Sequence, residues 1–314
     1  MRALPFHLVY HEGYDLNLGD HVFPAQKFRW IHDQLLRERF AAADDFVRPE
    51  PAGDDDILLV HDPGWVTRLK SGTLGFHEIL RLEIPYSQKM VQAFWLAAGG
   101  TILASRLALE EGIGFNLGGG FHHAFPAHGE GFCAIHDVAV AIRRLQRDGA
   151  IRRAMVVDCD VHHGNGTAAI FAGDLSVYTL SIHQFANYPT EKPPSDMDIH
   201  LSDGVGDAEY LERLDNGLKA AFAMFDPELM VYVAGADPYC EDQLGGLSLS
   251  LLGLVSRDRL VIGSALEGGI PVSIVLAGGY AANEMDTVLI QCNTAKAAKE
   301  ILENTGWKPR PALQ

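Results

Sequence analysis

Cysteine is scarce in this sequence and is not arranged as a framework. Four cysteines occur among 314 residues, at Cys133, Cys159, Cys240 and Cys292. No two of them form a C-x-x-C pair, which argues against a disulfide scaffold and against a thiolate zinc site. The pattern predicts reduced thiols and a cytoplasmic location.

Positive charge and long apolar runs are also lacking. The chain has 25 Lys and Arg against 41 Asp and Glu, a net charge of −16. Binding to nucleic acid or anionic membranes rests on basic surfaces, so both partners are disfavoured, whereas a cationic peptide substrate is compatible. No run approaches the ~18 apolar residues of a membrane span, and the first residues lack a signal-peptide core. The sequence predicts a soluble protein and leaves its oligomeric state open.

Apolar runs alternate with segments of helical periodicity along the chain. The predicted strands are Ile57–Val60, Ile113–Leu117, Met155–Val157, Val177–Ile182, Leu229–Ala236 and Val272–Leu276. The predicted helices are Lys89–Leu109, Asp137–Arg147, Gly206–Met224, Arg257–Glu267 and Ala282–Asn304. Strands that are apolar on both faces and alternate with helices indicate a parallel sheet covered on each side. We therefore predict one α/β domain over residues 1–314, with a mainly parallel sheet.

Three segments are predicted to lack regular structure. The Pro-, Gly- and Asp-rich stretch Arg48–Asp56 is expected to be a solvated loop. Gln184–Leu201 is expected to be a long connection that shapes a binding site, as long loops at a strand end often do. Gly306–Gln314 is expected to be a poorly ordered tail.

The segment that follows Met155–Val157 has the composition of a metal site. Asp158, Asp160 and His162 occupy alternate positions directly after this apolar run. On an extended backbone, alternate side chains share one side, so these groups can converge. Carboxylate and imidazole ligands at a strand tip indicate a divalent cation, although a strand end leading into a solvated turn would have a similar composition.

Other strand ends carry matching chemistry. Gly118–Gly120 precede the adjacent His122 and His123, Asp237 ends the Leu229 strand, and Tyr280 follows the Val272 strand. Paired imidazoles are suited to proton transfer near neutral pH. Ligands of an open parallel sheet bind at the carboxyl ends of its strands, so we expect one shared pocket.

Taken together, these segments resemble the zinc-dependent histone deacetylase superfamily, which shares its fold with arginase, and they are most similar to class IV. The resemblance extends from Leu8 to the helix after Tyr280. The motifs that match most specifically are Gly118–Ala124, Gly131–Cys133, His163–Thr167 and Leu244–Ser250.

The resemblance implies a metal on Asp160, His162 and Asp237. This donor set leaves positions open for water and a carbonyl oxygen and suits Zn²⁺, while Fe²⁺ would also accept it. In the family, the residue matching Asp158 orients the first histidine, here His122.

The second histidine, His123, would be partnered by Asn165, where class I members carry Asp. Asn does not stabilise an imidazolium as a carboxylate does, so His123 is expected to stay neutral and to act as general base and then acid. Tyr280 matches the tyrosine that stabilises the oxyanion.

The resemblance also implies a structural potassium ion and an acyl-lysine tunnel. The predicted potassium site comprises Asp158, Asp160, His162, Ser181 and Ile182. The predicted tunnel residues are Gly131, Phe132, Tyr188 and Leu244.

Leu244 occupies the gatekeeper position at the tunnel mouth, where polyamine-selective relatives carry a carboxylate. An apolar gatekeeper favours acyl-lysine, although Glu241 and Asp242 lie nearby. The class I loop that holds the peptide through an Asp has no clear counterpart around Glu83–Ser87.

The predicted activity is therefore metal-dependent removal of acyl groups from N-acyl-lysine side chains of proteins. One alternative is hydrolysis of acetylpolyamines or other small N-acyl-amines. A binuclear arginase-type centre would need an Asp-x-Asp pair at Asp237, and Ala236-Asp237-Pro238 supplies only one carboxylate. A catalytically silent acyl-lysine-binding scaffold is a further alternative, but the sequence retains Tyr280 and both histidines.

Overall fold

The computed structural model describes residues 2–308, which build one sheet of eight strands. The strands are β1 (Leu8–Val9), β2 (Phe46–Val47), β3 (Ile113–Asn116), β4 (Ala154–Asp158), β5 (Val177–Gln184), β6 (Met197–Leu201), β7 (Leu229–Val233) and β8 (Val272–Val275). Their order is β2-β1-β3-β8-β7-β4-β5-β6, and every neighbouring pair is parallel. The predicted α/β class is confirmed.

Ten helices cover the sheet within the described residues. They are α1 (Lys27–Arg37), α2 (Asp54–Ile57), α3 (Pro63–Ser71), α4 (Phe76–Leu82), α5 (Gln88–Glu111), α6 (Asp137–Arg147), α7 (Asn165–Phe171), α8 (Asp207–Met224), α9 (Leu251–Glu267) and α10 (Glu284–Thr305). Helices α1, α8, α9 and α10 contribute to one hydrophobic core, whereas α3, α5 and α6 contribute to another. None of these described helices is long and apolar enough to cross a membrane.

The two cores explain why the strands read as continuous apolar runs. In β4, Met155 and Val157 belong to the first core, while Ala154 and Val156 belong to the second. Successive side chains of a strand point to opposite faces, so a sheet covered on both sides needs apolar residues at every position. Strands β4 and β7 therefore show no alternation and their polar residues begin at the strand end, whereas β5 alternates, with Thr179, Ser181 and His183 on one side.

One predicted strand is wrong. Ile57–Val60 is not extended, because Asp54–Ile57 forms α2 and the following residues form a turn. Acidic residues occupy the first turn of this helix, where the helix dipole favours negative charge. Asp56 also pairs with Arg144 and Arg147 of α6, contacts that local sequence does not reveal. The loop predicted for Arg48–Asp56 accordingly ends in helix.

The prediction of an unstructured Gln184–Leu201 is also partly wrong. Gln184 belongs to β5, and the last five residues form the edge strand β6. This strand is short and only half buried, so its apolar pattern is weak. Of the predicted tail, only residues 306–308 are described, and Trp307 packs against the core. Residues 309–314 lie outside the described residues.

Candidate active site

The predicted site residues converge at the carboxyl edge of the sheet. Asp158 ends β4, and Asp237, Tyr280 and the two histidines follow β7, β8 and β3 respectively. Because these four strands are neighbours in the parallel sheet, the loops that follow them meet at one edge. The structure thus brings these groups together, as the sequence predicts.

Asp160, His162 and Asp237 form a compact buried cluster. Their potential ligand atoms all lie within 4.8 Å of one another. Nδ1 of His162 is 3.0 Å from Oδ1 of Asp160 and 3.4 Å from Oδ2 of Asp237. Burial, together with the nearby Asp160, raises the pKa of Asp237 to about 7. Because the Asp160 and Asp237 carboxylates are buried and close together, they favour a positive charge between them.

The surroundings of this cluster fit a metal ion. Oδ2 of Asp237 is buried and has no hydrogen-bond partner among the described residues. Its other oxygen accepts a hydrogen bond from the Val161 amide (2.8 Å), and Oδ2 of Asp160 accepts one from the Gly278 amide (3.0 Å). A Cβ at Gly278 would lie 2.0 Å from Asp237 Oδ2, so glycine keeps the space open. Two oxygens and one imidazole are a catalytic zinc donor set.

The two histidines differ in electrostatic environment. Nδ1 of His122 lies 2.7 Å from Oδ2 of Asp158. Burial would lower the pKa of His122, but Asp158 and Asp160 outweigh it and raise the pKa to about 9. For His123, burial and the positive charge of His122 lower the pKa well below its usual value. His122 is therefore the protonated member of the pair at neutral pH, and His123 is the neutral one.

Asn165 links His123 to a residue that the sequence interpretation missed. Its Oδ1 lies 2.7 Å from His123 Nδ1, and its Nδ2 donates to Glu130 Oε1. Glu130 also accepts a hydrogen bond from the Tyr188 hydroxyl at 3.2 Å. An amide suits this position because it can accept from the histidine and donate to the glutamate, whereas a carboxylate would meet Glu130 as a like charge. The only available signal was that Glu130 directly precedes Gly131.

A change at Asn165 should move the pH profile. In a Glu130→Gln background, Asn165→Asp places a carboxylate beside the His123 imidazolium, which raises the pKa of His123. The acidic limb of kcat/KM against pH should then shift upward by about 1–3 units, since kcat/KM reports the free enzyme. Glu130→Gln alone is the reference. An unchanged acidic limb would show that His123 is not the titrating base.

Tyr280 is held by contacts from two other parts of the chain. Its amide donates to Asp242 Oδ2 at 2.7 Å, and Lys27 Nζ donates to the Ala277 carbonyl at 2.7 Å. Burial lowers the pKa of Lys27 to about 8, although Asp237 and Asp160 act in the opposite direction. Burial and the same two carboxylates raise the pKa of Tyr280 well above 10, so the hydroxyl keeps its proton.

A narrow cavity leads to these groups. Its volume is about 160 Å³. It is lined by Glu83, His123, Gly131, Phe132, His162, Asn187, Tyr188, Leu244 and Tyr280. All four predicted tunnel residues are therefore present. A larger open cavity of about 770 Å³, around Arg48 and Lys89, contains none of the predicted site residues.

The acidic residue at this cavity is Glu83, not Glu241 or Asp242. The Asp242 carboxylate accepts hydrogen bonds from the backbone amides of Tyr280, Leu244 and Gly245. These bonds stabilise the loops that follow β8 and β7. Glu83 ends α4 with φ 59°, a left-handed conformation that is unfavourable for a residue other than glycine. Partial desolvation and the charge of Glu130 raise the pKa of Glu83, although its side chain remains exposed to solvent. A carboxylate in a strained conformation beside a reactive pocket suggests a functional role.

The predicted potassium residues share Asp160 and His162 with the buried cluster, and the other three adjoin it. Asp158 of β4 is paired in register with Ser181 of β5. The Ile182 side chain is buried in the core, so only its backbone is available to an ion. Oδ1 of Asp158 accepts from the Asp160 amide at 3.1 Å.

A buried arginine braces the two loops that carry Asp160 and Asp237. Arg257 is fully buried on α9 and donates to the carbonyls of Gly235 (2.6 Å) and Cys159 (3.4 Å). These residues precede Asp237 and Asp160 closely in the chain. Its counter-ion is the adjacent Asp258, with 2.8 Å between Nη2 and Oδ1. Sequence alone places Arg257 only at the predicted start of a helix.

Residues 21–295 match the family model described as "Histone deacetylase domain". The chain therefore belongs to the histone deacetylase family. It is 40% identical over 297 residues to an uncharacterised protein of Picosynechococcus sp., across 94% of this chain and 99% of that protein. It is 33% identical over 286 residues to histone deacetylase 2 of Arabidopsis thaliana, across 87% of this chain and 74% of that protein.

A solved structure supports the same fold. The crystal structure of an HDAC homologue complexed with SAHA matches with a TM-score of 0.76 and 24% identity, across 95% of this chain and 88% of that one. The family and its relatives support a hydrolytic deacetylase that acts on an acylated substrate.

Proposed function

We propose that this chain is a zinc-dependent amidohydrolase that removes acyl groups from N-acyl-lysine side chains, with a structural potassium ion beside its metal loop. The observation that carries the proposal is that one narrow cavity is lined by His123, His162 and Tyr280, at its reactive end, and by apolar walls. Fe²⁺ is an alternative metal for the same ligands. The free cysteines and the lack of a membrane-spanning helix among the described residues are compatible with a cytoplasmic enzyme.

The histidine pair supports a hydrolytic role. Asp160, His162 and Asp237 would hold the metal, which supplies an activated water and polarises the acyl carbonyl. His123 is neutral and can take a proton from the attacking water. His122 keeps its proton through Asp158 and adds positive charge beside the developing oxyanion.

The remaining steps use the same side chains. The Tyr280 hydroxyl stays protonated and can donate a hydrogen bond to the oxyanion. When the carbon–nitrogen bond breaks, His123 returns its proton to the leaving amine. The products are a carboxylate and a protonated amine, so one water is consumed for each bond broken and both of its protons end on the amine nitrogen.

Two features of the cavity bear on substrate choice. Phe132, Tyr188 and Leu244 provide apolar and aromatic walls, which suit the alkyl chain of a lysine side chain. Leu244 offers no partner to a second ammonium, which would lose water without compensation. Glu83 favours the second candidate, hydrolysis of acetylpolyamines, because its carboxylate could meet a second cation.

Turnover of matched substrates tests the proposal. We expect the zinc-loaded enzyme to hydrolyse an acetyl-lysine or myristoyl-lysine peptide with higher kcat/KM than N-acetylputrescine or N-acetylspermidine. Leu244→Glu should shift the ratio towards the polyamine by about fivefold, because a partly exposed ion pair contributes up to about 1 kcal/mol. Leu244→Gln is the neutral control.

A preference of the parent enzyme for acetylpolyamines would contradict the acyl-lysine assignment. Glu83→Gln should then remove that preference, since it keeps the shape of the side chain and deletes its charge.

A further inference from the structure

A second group of histidine and acidic side chains lies at the β5–β6 edge of the sheet. His163, His183 and Asp198 offer ligand atoms that all lie within 4.8 Å of one another. His163 and His183 are fully buried, and the Asp198 side chain is 16% exposed. None of these residues lines the active-site cavity.

The register of the two strands explains this cluster. Ser181 pairs with Asp198, and His183 pairs with His200, in the parallel β5–β6 ladder. Residues paired across neighbouring strands, and residues two positions apart along one strand, lie on the same face of the sheet. Leu180 and Ile182 of β5 belong to the hydrophobic core. A polar patch therefore occupies the opposite side of strand β5, and His163 contacts it from the loop between β4 and α7.

We propose that His163, His183 and Asp198 form a second binding site for a divalent transition-metal ion of the Zn²⁺ type, separate from the catalytic cluster. Ligands at 2.0–2.1 Å from a tetrahedral ion lie roughly 3.3 Å apart. Nε2 of His163 is 3.2 Å from Oδ1 of Asp198. The corresponding separations in the catalytic cluster are 3.0 and 3.4 Å.

The polar atoms around the cluster are arranged as ligands and their supports. Apart from His163 Nε2 at 3.2 Å, the buried Oδ1 of Asp198 has no hydrogen-bond partner among the described residues, whereas its Oδ2 accepts from the Ser195 amide at 3.0 Å. Ser181 Oγ lies 2.9 Å from His183 Nδ1, so His183 Nε2 would coordinate the ion, which would replace the present contact of that nitrogen with His200. Supports of this kind orient the ligands of protein-bound metals.

An exposed imidazole adjoins the cluster on its outer side. Nδ1 of His200 lies 2.9 Å from His183 Nε2. Two imidazoles with one carboxylate suit Zn²⁺ better than Ca²⁺ or Mg²⁺, which prefer oxygen.

The position of the site implies a bracing role. His163 directly follows the catalytic ligand His162, and Ser181 belongs to the proposed potassium site. A bound ion would fix the loop between β4 and α7 to the outer strands β5 and β6. This second ion would stabilise the structure and would take no part in the proposed hydrolysis.

Counting bound Zn²⁺ tests the inference. The chelator-treated full chain is titrated with Zn²⁺, and ions per chain are measured by mass spectrometry after gel filtration. We expect two ions in the parent chain, one in Asp198→Asn and one in Asp237→Asn. Asp196→Asn is the matched control, because Asp196 lies two residues away and accepts hydrogen bonds from Thr179 instead. It should retain two ions.

The size of the effect separates a ligand from a supporting residue. Asp198→Asn should weaken Zn²⁺ binding at the second site by more than about 100-fold, beyond the 10–100-fold cost of losing a supporting residue. Should Asp198→Asn fail to fold, Asp237→Asn provides an independent measurement. In that variant, one bound Co²⁺ with visible absorption typical of nitrogen and oxygen ligands supports the second site.

Other results are equally decisive. One ion in the parent chain that Asp237→Asn removes, and that Asp198→Asn leaves in place, would overturn the second site and leave the proposed hydrolase intact. One ion that Asp198→Asn removes and Asp237→Asn retains would support the second site and overturn the catalytic-metal assignment.

Discussion

Asp237→Asn is expected to abolish metal binding at the catalytic cluster and to reduce hydrolysis by about 10³-fold or more. A bound metal contributes several kcal/mol of transition-state stabilisation, and each 1.36 kcal/mol corresponds to a factor of about ten. Asp237 is fully buried, and its Oδ2 has no hydrogen-bond partner among the described residues. An amide at this position removes the negative charge that would hold a cation.

The measurements are kcat/KM for an acetyl-lysine peptide and the Zn²⁺ affinity of the catalytic cluster. Asp215→Asn serves as a control, since Asp215 pairs with Lys219 on α8 and contributes nothing to the cavity. Full activity of Asp237→Asn would show that the metal is not held there.

Tyr280→Phe is expected to lower kcat by about 10²–10³-fold with little change in KM. The hydroxyl contacts charge that develops mainly in the transition state, and losing such a donor costs this much. Phe keeps the aromatic contacts with Phe23 and Phe132, whose ring centroids each lie 6.0 Å from that of Tyr280. The shape of the active-site cavity should therefore be unchanged in the Phe variant.

Steady-state kinetics with the acetyl-lysine peptide separate the two parameters. Tyr86→Phe is the control, because its hydroxyl donates to the Leu69 carbonyl and Tyr86 does not line the cavity. An unchanged kcat in Tyr280→Phe would mean that the oxyanion is stabilised by other groups. A rise in KM alone would assign Tyr280 to substrate binding.

Central strands were the most predictable part of the fold. Strands β3, β4, β5, β7 and β8 are completely buried, so every residue in them is selected for burial, and the runs stand out in the sequence. Strands β1 and β2 have two residues each and give no readable period. The error at Ile57–Val60 has the same origin, since a short apolar run does not distinguish strand from helix.

The candidate catalytic groups were predictable because each lies next to a recognisable strand end. Asp158 ends β4, Asp160 and His162 follow within four residues, and their spacing already indicated a shared site. The strand-end pattern already placed His122 and Tyr280 in the same predicted pocket, and the resemblance to a known family added their expected roles. The structure brings all of them to one edge of the sheet.

By itself, the sequence determined the fold class, the order of the central elements and the side chains that meet at the candidate metal site, because these depend on local patterns and on the geometry of parallel sheets. Only the tertiary structure identified Glu83 at the cavity, Glu130 beside Asn165, and Lys27 beneath the Tyr280 loop. It also showed that His163, His183 and Asp198 lie together. Each of these groups acquires its partner from a segment far away in the chain, and such contacts arise only when the sheet and its loops have packed.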